Sequence, residues 1–126
     1  MGQYYLLANK NKREYILPHH LGCGAKLFEI CANDLPRVLP YLLHQSSGNG
    51  GGDPRNQQTN HLGRWAEDRI VVVGEYDDSG LYQTAESVYT EISDEIRPEI
   101  NEFLPSRRQL DDSIYGRHGL DELHSE

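Results

Sequence analysis

Apolar positions along the chain change period from two to about three and a half, and those changes mark the elements. Gln3 to Ala8 is rich in Tyr and Leu, and Arg13 to Leu17 repeats that character through Tyr15 and Ile16. The polar Asn9-Lys10-Asn11-Lys12 between them predicts a β-hairpin. Pro18 ends its second strand. After Gly22 and Gly24, the residues Ala25, Leu27, Phe28 and Cys31 predict a short helix, with Asn33-Asp34 as its stop and the next N-cap. Leu35, Val38, Leu39, Leu42 and Leu43 then follow the i, i+3, i+4, i+7, i+8 spacing of one helical face. Pro36 suits a first turn, but Pro40 lacks the amide that would bond the Pro36 carbonyl, so a kink or late start is expected there.

Residues 45–60 are Ser, Gly, Asn, Asp and Gln without periodicity and read as a long Gly-rich loop. Ile70-Val71-Val72-Val73 is an unbroken β-branched run, which predicts a strand buried on both faces at the centre of a sheet. Asp77-Asp78-Ser79-Gly80 is a turn, Leu81 to Ala85 a short helical piece, and Val88, Thr90 and Ile92 alternate as in a half-buried strand. Ser93 offers an N-cap, with Asp94 and Glu95 where a helix dipole favours anions. Ile96, Ile100, Phe103 and Leu104 make the buried stripe of that last helix, which Pro98 threatens to kink. The sum is a single α+β domain over residues 1–104, ordered β-β-α-α-loop-β-β-α, with a mainly antiparallel sheet and helices on one face. A polar, partly disordered tail is expected over 105–126.

A chain of 126 residues can bury one core of its own. Cys23 and Cys31 form neither a CxxC nor a zinc spacing, so two free thiols in the core, and a reducing compartment, are expected. No apolar run approaches the roughly 20 residues of a membrane span, no signal peptide is legible, and Leu6 stands where a myristoylation motif wants Ser or Thr. The expectation is a cytoplasmic protein, in the host cytoplasm if the chain is viral. The net charge of −8 is unevenly spread. Residues 1–74 hold eight Lys and Arg against six Asp and Glu, whereas residues 75–104 hold one Arg against nine acids. That segment repels phosphate backbones and favours a basic protein surface, so direct nucleic-acid binding is not expected. The bland alternative is a solvated face that keeps the chain in solution.

Candidate chemistry is sparse. The Ser46 to Asp53 stretch is not a phosphate loop, because it leaves a helix and lacks the Lys-Ser/Thr that loop requires. Its alternatives are a flexible connector, or a ligand lid with Arg55 reaching an anion. His19 and His20 are adjacent and point apart if extended, so no metal is expected there. His61 could act as an acid or base, although an exposed loop histidine is the commoner case. Arg64, Trp65, Asp68 and Arg69 crowd the start of the valine strand. They form either a structural ion pair or a pocket under the Gly loop with Trp65 as its wall. No catalytic set emerges, and no cofactor is expected.

Several blocks carry a resemblance: Met1-Gly2-Gln3-Tyr4-Tyr5, Gly22-x-Gly24 with Lys26-Leu27, Gly50-Gly51-Gly52-Asp53, and above all Trp65-Ala66-x-Asp68-Arg69-Ile70-Val71-x-x-Gly74-x-Tyr76. Over roughly residues 1–95 the chain resembles a group of small uncharacterised microbial proteins that open with MGQYY. The resemblance implies shared architecture and no particular activity. Where that group has His-Pro-His and Gly-Asp-Gly, this chain has Leu17-Pro18-His19 and Gly22-Cys23-Gly24, which removes potential metal ligands. Glu67 stands in place of a Gly, and Glu75 in place of an Asp.

The function expected first is a binding or inhibitory protein that sets an acidic face of Asp77, Asp78, Glu91, Asp94, Glu95, Glu99 and Glu102 against a partner protein with a basic surface. Anti-defence proteins of phages offer an analogy in size and charge. The alternatives are an enzyme or binder of small polar or anionic ligands, with its pocket at Arg55, His61, Arg64, Trp65, Asp68 and Arg69, and a structural or assembly module.

Overall fold

The computed structural model describes residues 2–33, 35–48, 50–53 and 61–111. Asp34, Arg55, the side chain of Phe103 and the tail from 112 onward lie outside the described residues. The fold is α+β. Strands β1 (Tyr5–Asn9), β2 (Glu14–Ile16), β3 (Ile70–Gly74) and β4 (Thr90–Glu91) form one sheet in the order β3-β1-β2-β4. β1 pairs antiparallel with β2 and β3, and β2 pairs parallel with β4. The helices are α1 (Leu27–Ala32), α2 (Leu39–Leu43), α3 (Leu81–Val88) and α4 (Ser93–Phe103).

The predicted hairpin is present, and Asn9 organises its turn. The Asn9 carboxamide oxygen accepts the amides of Asn11 and Lys12, each at 2.9 Å, as an Asx turn does. The centre of the sheet, however, is β1 and not the valine run. Leu6, Leu7 and Ala8 are fully buried, whereas β3 is an edge strand on which Val72 is 43% exposed. β-Branching marks a residue that fits a pleated surface and says little about how many neighbours the strand has.

Alternation along β1 and β2 sends side chains to two cores. Leu7 and Ile16 join Leu21, Val38, Leu42, Trp65, Ile96 and Ile100 on one face. Leu6, Ala8, Tyr15 and Val73 meet Tyr82 and Ala85 of α3 on the other. The helices therefore cover both faces and not one. α3 is longer than expected, running through Val88, and reduces the strand predicted from Val88 to Ile92 to the two residues of β4.

The helix predicted from Asp34 is broken as Pro40 implies: a 3₁₀ turn at Leu35–Arg37 precedes α2, which starts with Pro40 in its first turn. α1 turns Leu27, Phe28 and Cys31 outward and buries Glu29 and Ile30, so Cys31 is an exposed thiol and Cys23 a buried one. Glu29 receives the amides of Ala25 and Lys26 at 3.1 and 3.0 Å, which closes the first turn of α1. Ser93 does not cap α4. It is buried, and its hydroxyl accepts the Leu17 amide at 2.8 Å, which Pro18 strands at the end of β2. The packed body also runs past Leu104. Asn101 exchanges hydrogen bonds with Leu110, whose side chain lies in the first core.

Candidate functional site

The chain between α2 and β3 returns to the core as a series of tight turns over residues 61–67. It is tied to α2 by Gly63 N–H to the Tyr41 carbonyl and Trp65 N–H to the Leu42 carbonyl, both at 2.8 Å. These turns place His61, Arg64 and Trp65 against β2 and α4.

Trp65 is completely buried. Its indole N–H donates to Glu14 Oε1 at 2.9 Å, and Arg64 clamps the same carboxylate, with Nε 3.0 Å from each oxygen and Nη2 2.6 Å from Oε2. Burial raises the Glu14 pKa, but the hydrogen bonds from Arg64 and Trp65 and the positive charge of Arg64 outweigh it and hold the carboxyl below its ordinary value.

His61 is buried as well, which corrects the expectation of an exposed loop histidine. Its Nδ1 lies 2.5 Å from Glu99 Oε2, its backbone N–H donates to Glu99 Oε1 at 2.9 Å, and the Tyr41 hydroxyl donates to that same oxygen at 2.7 Å. The other ring nitrogen is 3.2 Å from Glu95, a largely exposed residue. Burial raises the Glu99 pKa, while the hydrogen bonds from His61 and Tyr41 lower it further, so the carboxyl titrates below its ordinary value. Burial and the Glu99 carboxylate push the Tyr41 phenol far above its ordinary value. A carboxylate therefore lies against each ring nitrogen of His61. This cluster fastens the 61–67 turns to α4.

Asp68 accepts from Asn9 Nδ2 at 2.8 Å and from Lys12 Nζ at 2.5 Å, which lowers its pKa and pins the hairpin turn to the start of β3. Arg69 is exposed, and its amide bonds Asn11. Arg55, which the expected pocket would use to reach an anion, lies outside the described residues. The cavity of about 330 Å³ beneath the Gly-rich loop is lined by His44, Gln45, Ser46, Asp53 and Leu62 among others, but by none of His61, Arg64, Trp65, Asp68 or Arg69. Trp65 is a core side chain rather than a pocket wall. Among the described residues, no group of three His, Cys, Asp or Glu could hold a metal ion.

The expected acidic face is divided. Asp77 and Asp78 lie in the turn after β3, beyond one edge of the sheet, while β4 and α4 follow at the opposite edge. Glu91 is half-buried, 2.6 Å from His20 Nδ1. Glu99 is buried and belongs to the His61 cluster, so it is not part of any face. Asp94, Glu95 and Glu102 remain on the exposed side of α4, with Arg97 3.0 Å from Asp94. Among the described residues, no helix is long and apolar enough to cross a membrane. Comparison with protein-family models, with curated proteins and with solved structures returns no match.

Proposed function

We propose that the chain is a binding protein that docks α4 against a basic surface of another protein, with an inhibitory role as its simplest use. The observation that supports this is the two-sidedness of α4. Ile96 and Ile100 lock one side into the core and Glu99 is fastened by Tyr41 and His61, so Asp94, Glu95 and Glu102 are presented from a helix that cannot roll. Glu95 and Glu102 are seven residues apart, about 10 Å along a helix. That spacing suits Lys or Arg side chains placed along one face of a partner element. Such pairing sets orientation and association rate more than raw affinity.

The test is a cross-linked pull-down from the cells in which the chain acts, comparing the wild type with an Asp94→Lys, Glu95→Lys, Glu102→Lys variant. The variant spares the buried Glu99 but removes the Glu95 contact to His61, so a urea unfolding curve must first show it folded before capture is compared. The reading expects a basic protein to be captured by the wild type and lost from the variant. Equal capture of the same protein by both would sink it.

A further inference from the structure

β3 leaves one side of its backbone open. In its ladder with β1, the Lys10 amide donates to the Arg69 carbonyl and the Glu75 amide to the Tyr4 carbonyl, each at 3.0 Å, in a register that sets Leu7 opposite Val72. Antiparallel ladders alternate, so residues 69, 71, 73 and 75 turn their backbone groups toward β1, and Ile70, Val72 and Gly74 turn theirs outward. Of those outward groups, the Gly74 carbonyl accepts the Asp77 amide at 3.1 Å. The others meet no partner among the described residues.

Edge strands are usually blunted by a proline, a bulge or an inward-pointing charge, and Ile70–Gly74 carries none of these. Val72 and Tyr76 are instead exposed, at 43% and 58%. A groove of about 450 Å³ follows the strand from Lys10 past Val72 to Tyr76 and Asp77.

Charge along this edge is polarised. Lys10, Lys12 and Arg69 stand at its start, where Lys12 neutralises Asp68, and Glu75, Asp77 and Asp78 at its end. We propose that β3 pairs antiparallel with β3 of a second copy of this chain, about a two-fold axis at Val72, to form a continuous eight-stranded sheet. Centred there, the outward backbone groups of Val72 meet those of the second Val72, and the Ile70 carbonyl meets the Gly74 amide, the Gly74 carbonyl being held by Asp77. On the other face Val71 meets Val73, and Arg69 meets Glu75, twice over by symmetry. Glu75 accepts the Tyr4 amide through Oε1, and among the described residues its second oxygen meets no partner, which leaves it for Arg69 of the second copy. A parallel arrangement sets like charges together. The neighbouring antiparallel registers place Val71 against Glu75 or Val73 against Arg69. The charge pattern thus selects both direction and register, and the occupant whose charges match is the chain itself.

Sedimentation equilibrium on the full chain tests this, at concentrations up to roughly 1 mM so that even weak association registers. The wild type is expected at twice the chain mass. Val72→Pro removes an outward amide that β1 does not use, and is expected at the single mass with an unchanged circular dichroism spectrum. Arg69→Glu alone and Glu75→Arg alone are each expected to be monomers, because each sets like charges opposite one another at both positions. Mixed one to one, they restore both opposite-charge pairs and should return to the double mass, a result that also guards against misfolding of Val72→Pro. A monomeric wild type overturns the proposal, including the case in which it binds a synthetic peptide of residues 69–75, where the edge takes a foreign strand instead. So does a wild-type dimer whose mass is unmoved by all three substitutions.

Discussion

Glu99→Ala separates the structural reading of the His61 cluster from a surface reading of the acidic segment. The substitution removes the acceptor of the Tyr41 hydroxyl, of the His61 amide and of one His61 ring nitrogen, and leaves those donors in a site that is almost closed to water. Breaking a buried pair from one side costs about 3–5 kcal/mol, against a total stability of about 5–15 kcal/mol for a domain. With a urea dependence of about 1.5 kcal/mol per molar, the unfolding midpoint should fall by roughly 2–3 M. Glu99→Gln keeps one acceptor oxygen and should lie between the two. Glu102→Ala, three residues on and exposed, should shift stability by no more than about 0.5 kcal/mol. Fluorescence is the natural assay, because the chain has one tryptophan and that residue, Trp65, is fully buried. If Glu99→Ala and Glu102→Ala unfold at the same urea concentration, the cluster does not hold the 61–67 turns and the reasoning fails.

Further expectations follow from the same contacts. Glu14 and Glu99 both titrate below the ordinary value of 4.5 in the folded chain. Their contribution is therefore complete above the unfolded pKa and is lost as pH falls through the folded one, so the urea midpoint should drop between about pH 5 and pH 3, less steeply in Glu14→Gln. A thiol reagent should label Cys31 at once in the native chain and Cys23 only on unfolding, as mass spectrometry of the labelled peptides would report. Glu67 adopts a left-handed backbone with φ 62°, so Glu67→Gly should raise the urea midpoint by the equivalent of about 0.5–1 kcal/mol, and a drop would contradict the strain assigned there. Gly24→Ala should destabilise strongly in a thermal melt, since its φ is 79° and an added Cβ would lie 2.4 Å from Glu29 Cβ.

What the sequence reveals here is local, and what it hides is pairing over distance. The hairpin is legible because four polar residues separate two apolar runs, and the core face of α4 because Ile96 and Ile100 repeat at helical spacing. The partners of the buried charges are not: Glu14 meets Trp65 across 51 positions and Glu99 meets His61 across 38. A signal for both was nonetheless present. Glu99 occupies a place in the stripe of Ile92, Ile96 and Ile100, and Glu14 shares a sheet face with the buried Ile16, so each acid stands where an apolar side chain is expected. Such positions predict a satisfied buried carboxylate. Placing Glu99 on one face with Asp94, Glu95 and Glu102 ignores that periodicity. The valine run misled for a different reason, since Leu6-Leu7-Ala8, without β-branching, is the run that burial favours.

The central claim is that α4 binds through exposed carboxylates. Once a partner is in hand, titration calorimetry of the wild type and the Asp94→Lys, Glu95→Lys, Glu102→Lys variant at about 0.05 M and 0.5 M salt tests it most directly. The account predicts that wild-type affinity falls at least tenfold over that range and that the variant binds weakly at both. An affinity indifferent to salt and to the three substitutions would contradict it.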